Sequence, residues 1–533
     1  MKASLWRALA CGAGIAALAA PPAMADAPEP PMALPGDAVA ATAPAARATW
    51  IVGARPGART RVVARRFGAE HIGPAGTGSY AVARSRARAF ARALGSRLTY
   101  AQPDTLAEPL QRAVAQDPLA VPPNDWRDWI VNPALTPPAV DANSPLIAVV
   151  DAQLDRTHPE WQGGNTDTVD QFPVTNAHGT ATTSVAAAPA NGLGILGVWP
   201  GARALNLPLS EQLTCEERTQ QIAAAIERRA AAINMSYGAN APCFSEYVAL
   251  QVAVAHGIVP VAAAGNEFAQ GNPLEFPASL PHVVTVAAVG PPPAFKSSFF
   301  SNANSAIDLS APGENIMTAV PIALDPDADG WQRQSGTSFA APMVASAIAW
   351  VRAARSTLTP DQVVQAVRLS AEDHDEPGWG ANTGFGVLNV AGALEYDPPP
   401  TDPLEPNDTM FWVDGRGFGR PDRVIFKGGK TRRLGATIDA FEDPADVYRI
   451  RLRGRSRVLI TADPVRNDDV DLRVYPRKAT SLGAKPLKRS ARRGKRTEKI
   501  TLRNRSGRAR VYYVAVLVQG SRDLDAAYAL RVG

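Results

Sequence analysis

Between residues 145 and 396, short apolar runs alternate with longer Ala-rich stretches of helical pattern, and no other feature constrains the fold as strongly. Residues 146–150, 231–235, 258–262 and 283–286 are brief and rich in β-branched side chains, which predicts strands. Between and after them the pattern predicts helices over 178–187, 219–230, 246–256, 338–357 and 359–371. Parallel strands need crossover connections, and helices supply them while burying both faces of the sheet. The expected fold class is therefore α/β, a doubly wound and mainly parallel sheet. Ligand sites in such a sheet lie at the C-terminal ends of its strands.

The rest of the chain does not continue this pattern. At 533 residues it exceeds what one core organises. Residues 1–25 read as a signal peptide: Lys2 and Arg7 are followed by an apolar stretch over 8–20 and an Ala23-Met24-Ala25 cleavage motif. The stretch is too short to span a bilayer, so stable membrane insertion is not expected. Export places the remaining Cys215 and Cys243 in an oxidising compartment, either as a disulfide or as two buried thiols. A Pro/Ala-rich spacer (26–47) leads into a compact segment (48–112) with strands at 50–52 and 80–83 and helices at 59–67 and 87–94. After the Pro-rich linker at 397–400, residues 397–533 show short alternating strands at 447–452, 471–475, 511–516 and 528–532. No long helix interrupts them, which predicts a C-terminal β-sandwich.

Charge follows the same division. The net +5 resolves into +8 for residues 1–112, −16 for 113–396 and +13 for 397–533. A single basic body that binds nucleic acid does not fit this distribution; a basic segment beside an acidic one does.

Polar residues interrupt the apolar pattern of the central unit at informative places. Asp151 closes the first strand, His178 opens His178-Gly179-Thr180, and Ser338 lies in Gly336-Thr337-Ser338-Phe339-Ala340-Ala341-Pro342 at a helix start. A serine hydroxyl is a weak nucleophile at neutral pH. It needs an imidazole to take its proton and a carboxylate to hold that imidazole in one tautomer. Each residue alone has an ordinary use as a cap, a core residue or a turn former. The order Asp, His, Ser is the one known from subtilisin.

With these stretches, and with Asn234-Met235-Ser236-Tyr237-Gly238 and Ala263-Ala264-Gly265-Asn266, residues 113–396 resemble a subtilisin-like (subtilase) serine peptidase domain. The resemblance implies Ser338 as nucleophile, His178 as general acid/base, Asp151 as its orienting carboxylate and Asn266 as oxyanion donor. It implies that Ser236, Tyr237 and Gly238 pair with an extended peptide, and that Ala263, Ala264 and Gly265 wall the pocket for the side chain before the scissile bond. Glu275, preceding Phe276-Pro277, would stand at that pocket's floor and favour Lys or Arg there; a solvated loop or a calcium ligand is the alternative. Two departures concern local hydrogen bonding. Ala152-Gln153 stands where the family has Thr-Gly, and Ala181 where a second histidine is common.

Residues 48–112 then resemble the family's inhibitory propeptide, cut between about residues 110 and 117, with Arg112-Ala113 attractive if the pocket is acidic. Residues 397–533 resemble a bacterial pre-peptidase C-terminal domain through Leu404-Glu405-Pro406-Asn407-Asp408-Thr409, residues 443–448 and residues 468–472. Such oxygen clusters suit a hard cation, so structural Ca²⁺ joins turn formation as a reading, and the chemistry itself requires no cofactor. The resemblance implies a secreted, self-processed, monomeric endopeptidase acting on protein or peptide substrates, with its own propeptide as intramolecular inhibitor. A catalytically silent binding protein and an esterase are the competing classes.

Overall fold

The computed structural model describes residues 49–104, 108–109, 126–169, 171–375, 378–399, 404–439, 443–465, 468–518 and 525–533. The signal, the spacer and the cleavage region at 110–117 lie outside the described residues.

Strands β1 (Thr49–Ala54), β2 (Glu70–Ile72), β3 (Ser79–Ala83) and β4 (Leu98–Pro103) form an antiparallel sheet in the order β2-β3-β1-β4. Helices α1 (Ala58–Phe67) and α2 (Arg84–Leu94) cover one face through Val52, Tyr80, Val82 and Phe90. A two-residue strand, β5 (Glu108–Pro109), follows.

The central unit is built on β6 (Leu146–Asp151), β7 (Thr166–Thr168), β8 (Arg203–Pro208), β9 (Ala232–Met235), β11 (Val259–Ala263), β12 (Val284–Val289) and β13 (Leu309–Pro312). β10 (Tyr237–Gly238) lies outside this sheet. The order is β13-β12-β11-β9-β6-β8-β7, with every neighbouring pair parallel. Helices α3 (His178–Ala187), α6 (Thr337–Ala354), α7 (Pro360–Leu369) and α8 (Val390–Glu395) pack on one face, and α4 (Cys215–Glu227) and α5 (Phe244–Ala255) on the other. Along β6, Ile147 and Val149 enter the first core while Ala148 and Val150 enter the second. Burial on both faces is why the strand reads as an unbroken apolar run. The chain reverses its direction of sheet growth beside β6, so the end of that strand opens onto the crevice where such sheets bind ligands. The hairpin β14 (Ile316–Ala319) and β15 (Trp331–Gln334) precedes α6.

Cys215 and Cys243 form a disulfide with Cα atoms 5.8 Å apart, joining the N-termini of α4 and α5. The sheet of residues 49–104 sits on this same place. Ile51, Ile72 and Tyr100 share an apolar cluster with Phe244 and Val248, and with Trp412 of α9 (Met410–Val413). Asp104 Oδ1 accepts from the Glu216 N–H at 3.1 Å and Gln102 Oε1 from the Phe244 N–H at 3.0 Å, each satisfying a first-turn donor. The contact is thus apolar with two helix caps, although charge attraction was the reason the sequence offered for it.

Beyond residue 404 come β16 (Arg432–Asp439), β17 (Ala445–Leu452), β18 (Arg457–Pro464), β19 (Val470–Pro476), β20 (Lys488–Ser490), β21 (Glu498–Arg503), β22 (Arg510–Val518) and β23 (Asp525–Val532). They make two four-stranded antiparallel sheets, β16-β23-β18-β21 and β17-β22-β19-β20, whose facing residues share one core. Arg368 of α7 ties this unit to the central one. Its guanidinium reaches Asp308 at 2.8 Å and Asp439 at 3.2 Å while lying over the Phe385 ring. A cavity of about 750 Å³ opens between the two units beside this tie.

Candidate active site

Asp151 ends β6, and its carboxylate Oδ1 lies 2.6 Å from His178 Nδ1 with both side chains 3% exposed. Two more donors fix the carboxylate: the Ala152 N–H at 2.7 Å to Oδ1 and the Thr182 hydroxyl at 3.0 Å to Oδ2. The Ala152 bond is made by the backbone, so the departure from Thr-Gly leaves it intact. Ala181, on α3, is buried in the core that this helix packs against. With Nδ1–H given to Asp151, the buried Nε2 carries the free lone pair and has no hydrogen-bond partner. Gly179 makes this approach feasible, because a Cβ there would stand 1.9 Å from the Ala152 carbonyl oxygen.

Ser338 is the second residue of α6, so its N–H stands in the first turn, outside the helix's own hydrogen-bond ladder. Its hydroxyl donates to the Ser236 carbonyl at 3.3 Å. The next residue, Phe339, has its ring 6.0 Å from the His178 imidazole. Pro342 lies four residues on and has no N–H to give the Ser338 carbonyl. The Ser236 hydroxyl donates to that carbonyl instead, at 2.8 Å, and Asn234 Nδ2 donates to Ser236 Oγ at 3.0 Å. The proline of the motif thereby frees an acceptor that locks the serine's turn to the edge beside it.

Asn266 follows β11. Its Oδ1 accepts both the Thr337 N–H at 2.9 Å and the Thr337 hydroxyl at 3.0 Å, which fixes the amide and turns Nδ2 to the opposite side. At Gly265, with φ +108°, a Cβ would stand 2.8 Å from Glu275 Cγ and 2.2 Å from Asn302 Nδ2. Glu275 is therefore buried directly against the segment that follows β11. Two backbone bonds of 2.9 Å between Ala239 and Phe276 attach its loop to the end of the β10 edge. Ser236, Tyr237, Gly238, Ala263, Ala264, Gly265 and Glu275 are thus brought together around one side of Asn266 and Ser338. Asp151, His178, Ser236 and Tyr237 also line a shallow cleft with Ser210 and Leu213.

The Tyr237 ring points into the protein, leaving only its backbone at the edge. Its hydroxyl donates to Glu246 at 3.0 Å, Glu246 pairs with Arg218 at 3.1 Å, and all three are buried. Burial raises the Tyr237 pKa well above its ordinary value. Burial likewise raises that of Glu246, against the lowering effect of Arg218 and of the Tyr237 hydrogen bond. Glu246 and Arg218, and the roles of Thr182, Thr337 and Asn234, were not singled out from the sequence. Thr182 alone carried a signal, four residues after His178 on the same helical face. β10 is also occupied along its outer side: Glu108 and Pro109 pair antiparallel with Gly238 and Tyr237.

The subtilase family profile matches residues 142–386, the span that carries Asp151, His178, Asn266, Ser338 and the β10 edge. Fervidolysin of Fervidobacterium pennivorans is 28% identical over 316 residues, 52% of this chain and 44% of its own, so this chain spans less than half of that relative. Subtilisin of Bacillus pumilus is 29% identical over 273 residues, 49% of this chain and 95% of its own. The crystal structure of fervidolysin, described as a keratinolytic enzyme related to subtilisin, shares the fold over 85% of this chain and 84% of its own, with a TM-score of 0.55 at 16% identity. The major intracellular serine protease of Bacillus subtilis is 32% identical over 229 residues, 39% of this chain and 67% of its own. The chain belongs to the subtilase family, and its central unit is that of a subtilisin-like serine endopeptidase.

Proposed function

We propose that the chain is the precursor of a secreted endopeptidase that hydrolyses peptide bonds through Asp151, His178 and Ser338. The observation that carries this reading is the buried 2.6 Å pair between His178 Nδ1 and Asp151, with Nε2 left free as a base. Ser338 Oγ attacks the scissile carbonyl as His178 Nε2 takes its proton. Asp151 holds the imidazole and stabilises the cation that forms. The oxyanion is met by Asn266 Nδ2 and the Ser338 N–H. His178 then protonates the leaving amine, and water, activated by the same imidazole, hydrolyses the acyl-enzyme. Ser236, Tyr237 and Gly238 hold the substrate as an added strand through main-chain bonds. Ala263, Ala264 and Gly265 wall the pocket before the cut, and Glu275 at its floor selects Lys or Arg by charge pairing.

Residues 48–112 act as the inhibitory propeptide. Pairing of Glu108 and Pro109 with the β10 edge supports this, as do the two helix caps from Gln102 and Asp104. The two C-terminal sheets form a β-sandwich of the pre-peptidase C-terminal type, serving as a docking module that is kept or removed on maturation. Wild-type protein should clear casein and process its own N-terminus, and Ser338→Ala should do neither. Processing by the alanine variant would remove the self-cleavage reading, and a wild type inert on casein and short ester substrates alike would favour the silent binding protein. A peptide panel showing no preference for Arg over Phe or Leu would remove the role given to Glu275.

A further inference from the structure

We propose that the end of the C-terminal unit farthest from its tie to the catalytic unit is a docking surface for an anionic polysaccharide, one that bears sulfate or phosphate esters. This deepens the docking-module reading of that unit and rests on it. The unit is polarised along its strands. Asp439, Asp443 and Asp468 lie at the end that meets the catalytic unit, where Asp439 takes Arg368 at 3.2 Å and all three line the cavity between the units. The turns that join β17 to β18 and β21 to β22 lie at the other end, about 25 Å away along eight-residue strands. These turns and their flanks carry Arg453, Arg455, Arg457, Arg503, Arg505 and Arg508, all exposed. No acidic residue occurs over 448–462 or 499–510. Within this unit, arginine ion pairs among the described residues fall on Arg416, Arg473 and Arg531 instead. The spacing exceeds two Debye lengths at physiological salt, so these arginines add little to the attachment at Asp439.

The cations are held together at a cost. Arg457 stands directly opposite Arg503 in the β18–β21 pair, and like charges so placed destabilise a sheet. Arg455 has φ +54°, a conformation in which glycine would be cheaper. The buried Asn504 joins the two turns: its Nδ2 donates to the Arg453 carbonyl at 2.9 Å and to the Arg508 carbonyl at 2.8 Å. The Arg455 N–H donates to the Ser506 carbonyl at 2.9 Å, so both turns present their guanidinium groups as one surface.

Residue type selects the partner. Every cation of these turns is arginine, whose planar fork matches sulfate or phosphate oxygens bidentately. Residues 453–456 and 504–509 include no aromatic ring on which a base could stack and no large apolar side chain to enter a bilayer. A polymer that repeats its esters along an extended chain suits a row of separated guanidinium groups.

The test uses the full-length Ser338→Ala chain, which removes self-cleavage, titrated with dextran sulfate, neutral dextran, single-stranded DNA and phosphatidylglycerol-containing vesicles. Dextran sulfate should bind, and its affinity should fall steeply between low and physiological salt. Arg455→Gln, Arg457→Gln, Arg503→Gln and Arg505→Gln made together should weaken that binding at least about 10-fold. The same exchange at Arg59, Arg61, Arg65 and Arg66 of α1 removes equal charge from another exposed place and should weaken it less than about 3-fold. If the first quadruple variant does not fold, Arg457→Gln with Arg503→Gln carries the test. That pair should weaken binding about 3-fold and, by relieving the opposed charges, should unfold no lower than the parent. Absence of binding to dextran sulfate, equal losses from the two quadruple variants, or binding to DNA or vesicles as tight as to dextran sulfate would each overturn the proposal. Retention of the parent on neutral dextran or on casein beads, without binding to dextran sulfate, would overturn it while leaving the docking-module reading standing.

Discussion

Among the described residues, His178 pairs with Asp151 and the half-buried His282 with the buried Asp408, and their surroundings give the two pairs opposite chemistries. At the end of β6, His178 faces Asp151, whose carboxylate already accepts from a backbone amide and a threonine hydroxyl. At the boundary with the C-terminal unit, His282 faces Asp408, whose second oxygen has no donor and whose neighbours are further carboxylates. In the first pair one satisfied carboxylate orients one imidazole, and the free nitrogen is left for proton transfer. In the second, surplus negative charge converges on the imidazole, and burial, which opposes protonation, is outweighed by Asp408 so that the His282 pKa is raised. The lesson is that the number of satisfied lone pairs around a buried pair, more than the pair itself, sets what it does.

The largest effect should come from removing the base or the nucleophile that the first pair serves. His178→Ala and Ser338→Ala should each lower kcat by about 10⁶-fold, the magnitude known for subtilisin itself rather than one derived from this geometry. Single-turnover assays on a peptide ester measure it. A loss below about 100-fold would mean that the pair at β6 is not the chemical centre, and the contrast with His282 would collapse. Asp151→Asn comes next. The amide presents the wrong group to Nδ1 and traps the imidazole in the wrong tautomer, so kcat should fall about 10⁴-fold with KM little changed.

Much of this centre was legible in the sequence. Asp151, His178, Asn266 and Ser338 each stand at the C-terminal end of an apolar strand or at the start of a helix, where local pattern reports position. The helix at 178–187 has the expected bounds. Where signals were not apolar, the reading slipped. α4 starts at Cys215, four residues before expectation, because the Thr214–Glu217 capping box starts it through a polar first turn with no apolar period. β4 and the three-residue β2 are edge strands, and β16 and β21 run through charge-rich sequence, so all four escaped detection. The carboxylates near His282 lie in the oxygen-rich stretches 404–409 and 443–448 that the sequence did mark. His282 itself carried no signal, since it stands more than 120 residues away and meets them only through domain packing.

Asn266 tests whether satisfied acceptors also matter one step further out. Thr337 fixes its Oδ1 through two bonds, which leaves Nδ2 oriented before any substrate arrives. Asn266→Ala should lower kcat about 10²- to 10³-fold, with KM nearly constant, because the donor acts on charge present only in the transition state. Thr182→Val removes one of the three donors to Asp151. Its single proton is shared with the His178 carbonyl at 3.1 Å, so only part of a charged hydrogen bond is lost. A fall in kcat of about 10-fold is expected, and Thr182→Ser should restore most of it. An unchanged rate in Thr182→Val would show that carboxylate saturation is incidental to orientation.

The smallest effect isolates the same principle away from any charge. The Ser338 carbonyl has no helical donor because Pro342 occupies the position that would supply one, and the Ser236 hydroxyl fills the gap at 2.8 Å. Ser236→Ala takes this donor away from a buried carbonyl and should cost about 1–2 kcal/mol of unfolding free energy by denaturant titration. Pro342→Ala restores a backbone N–H four residues on, so the same Ser236→Ala change made in that background should cost roughly half as much. The Ser338→Ala chain is the right host, since it holds the backbone of the turn while excluding self-digestion. Equal costs in the two backgrounds would mean that the hydroxyl serves Asn234 rather than the carbonyl. A reduced cost would show that proline and serine are one device, which holds the nucleophile's turn against the substrate edge.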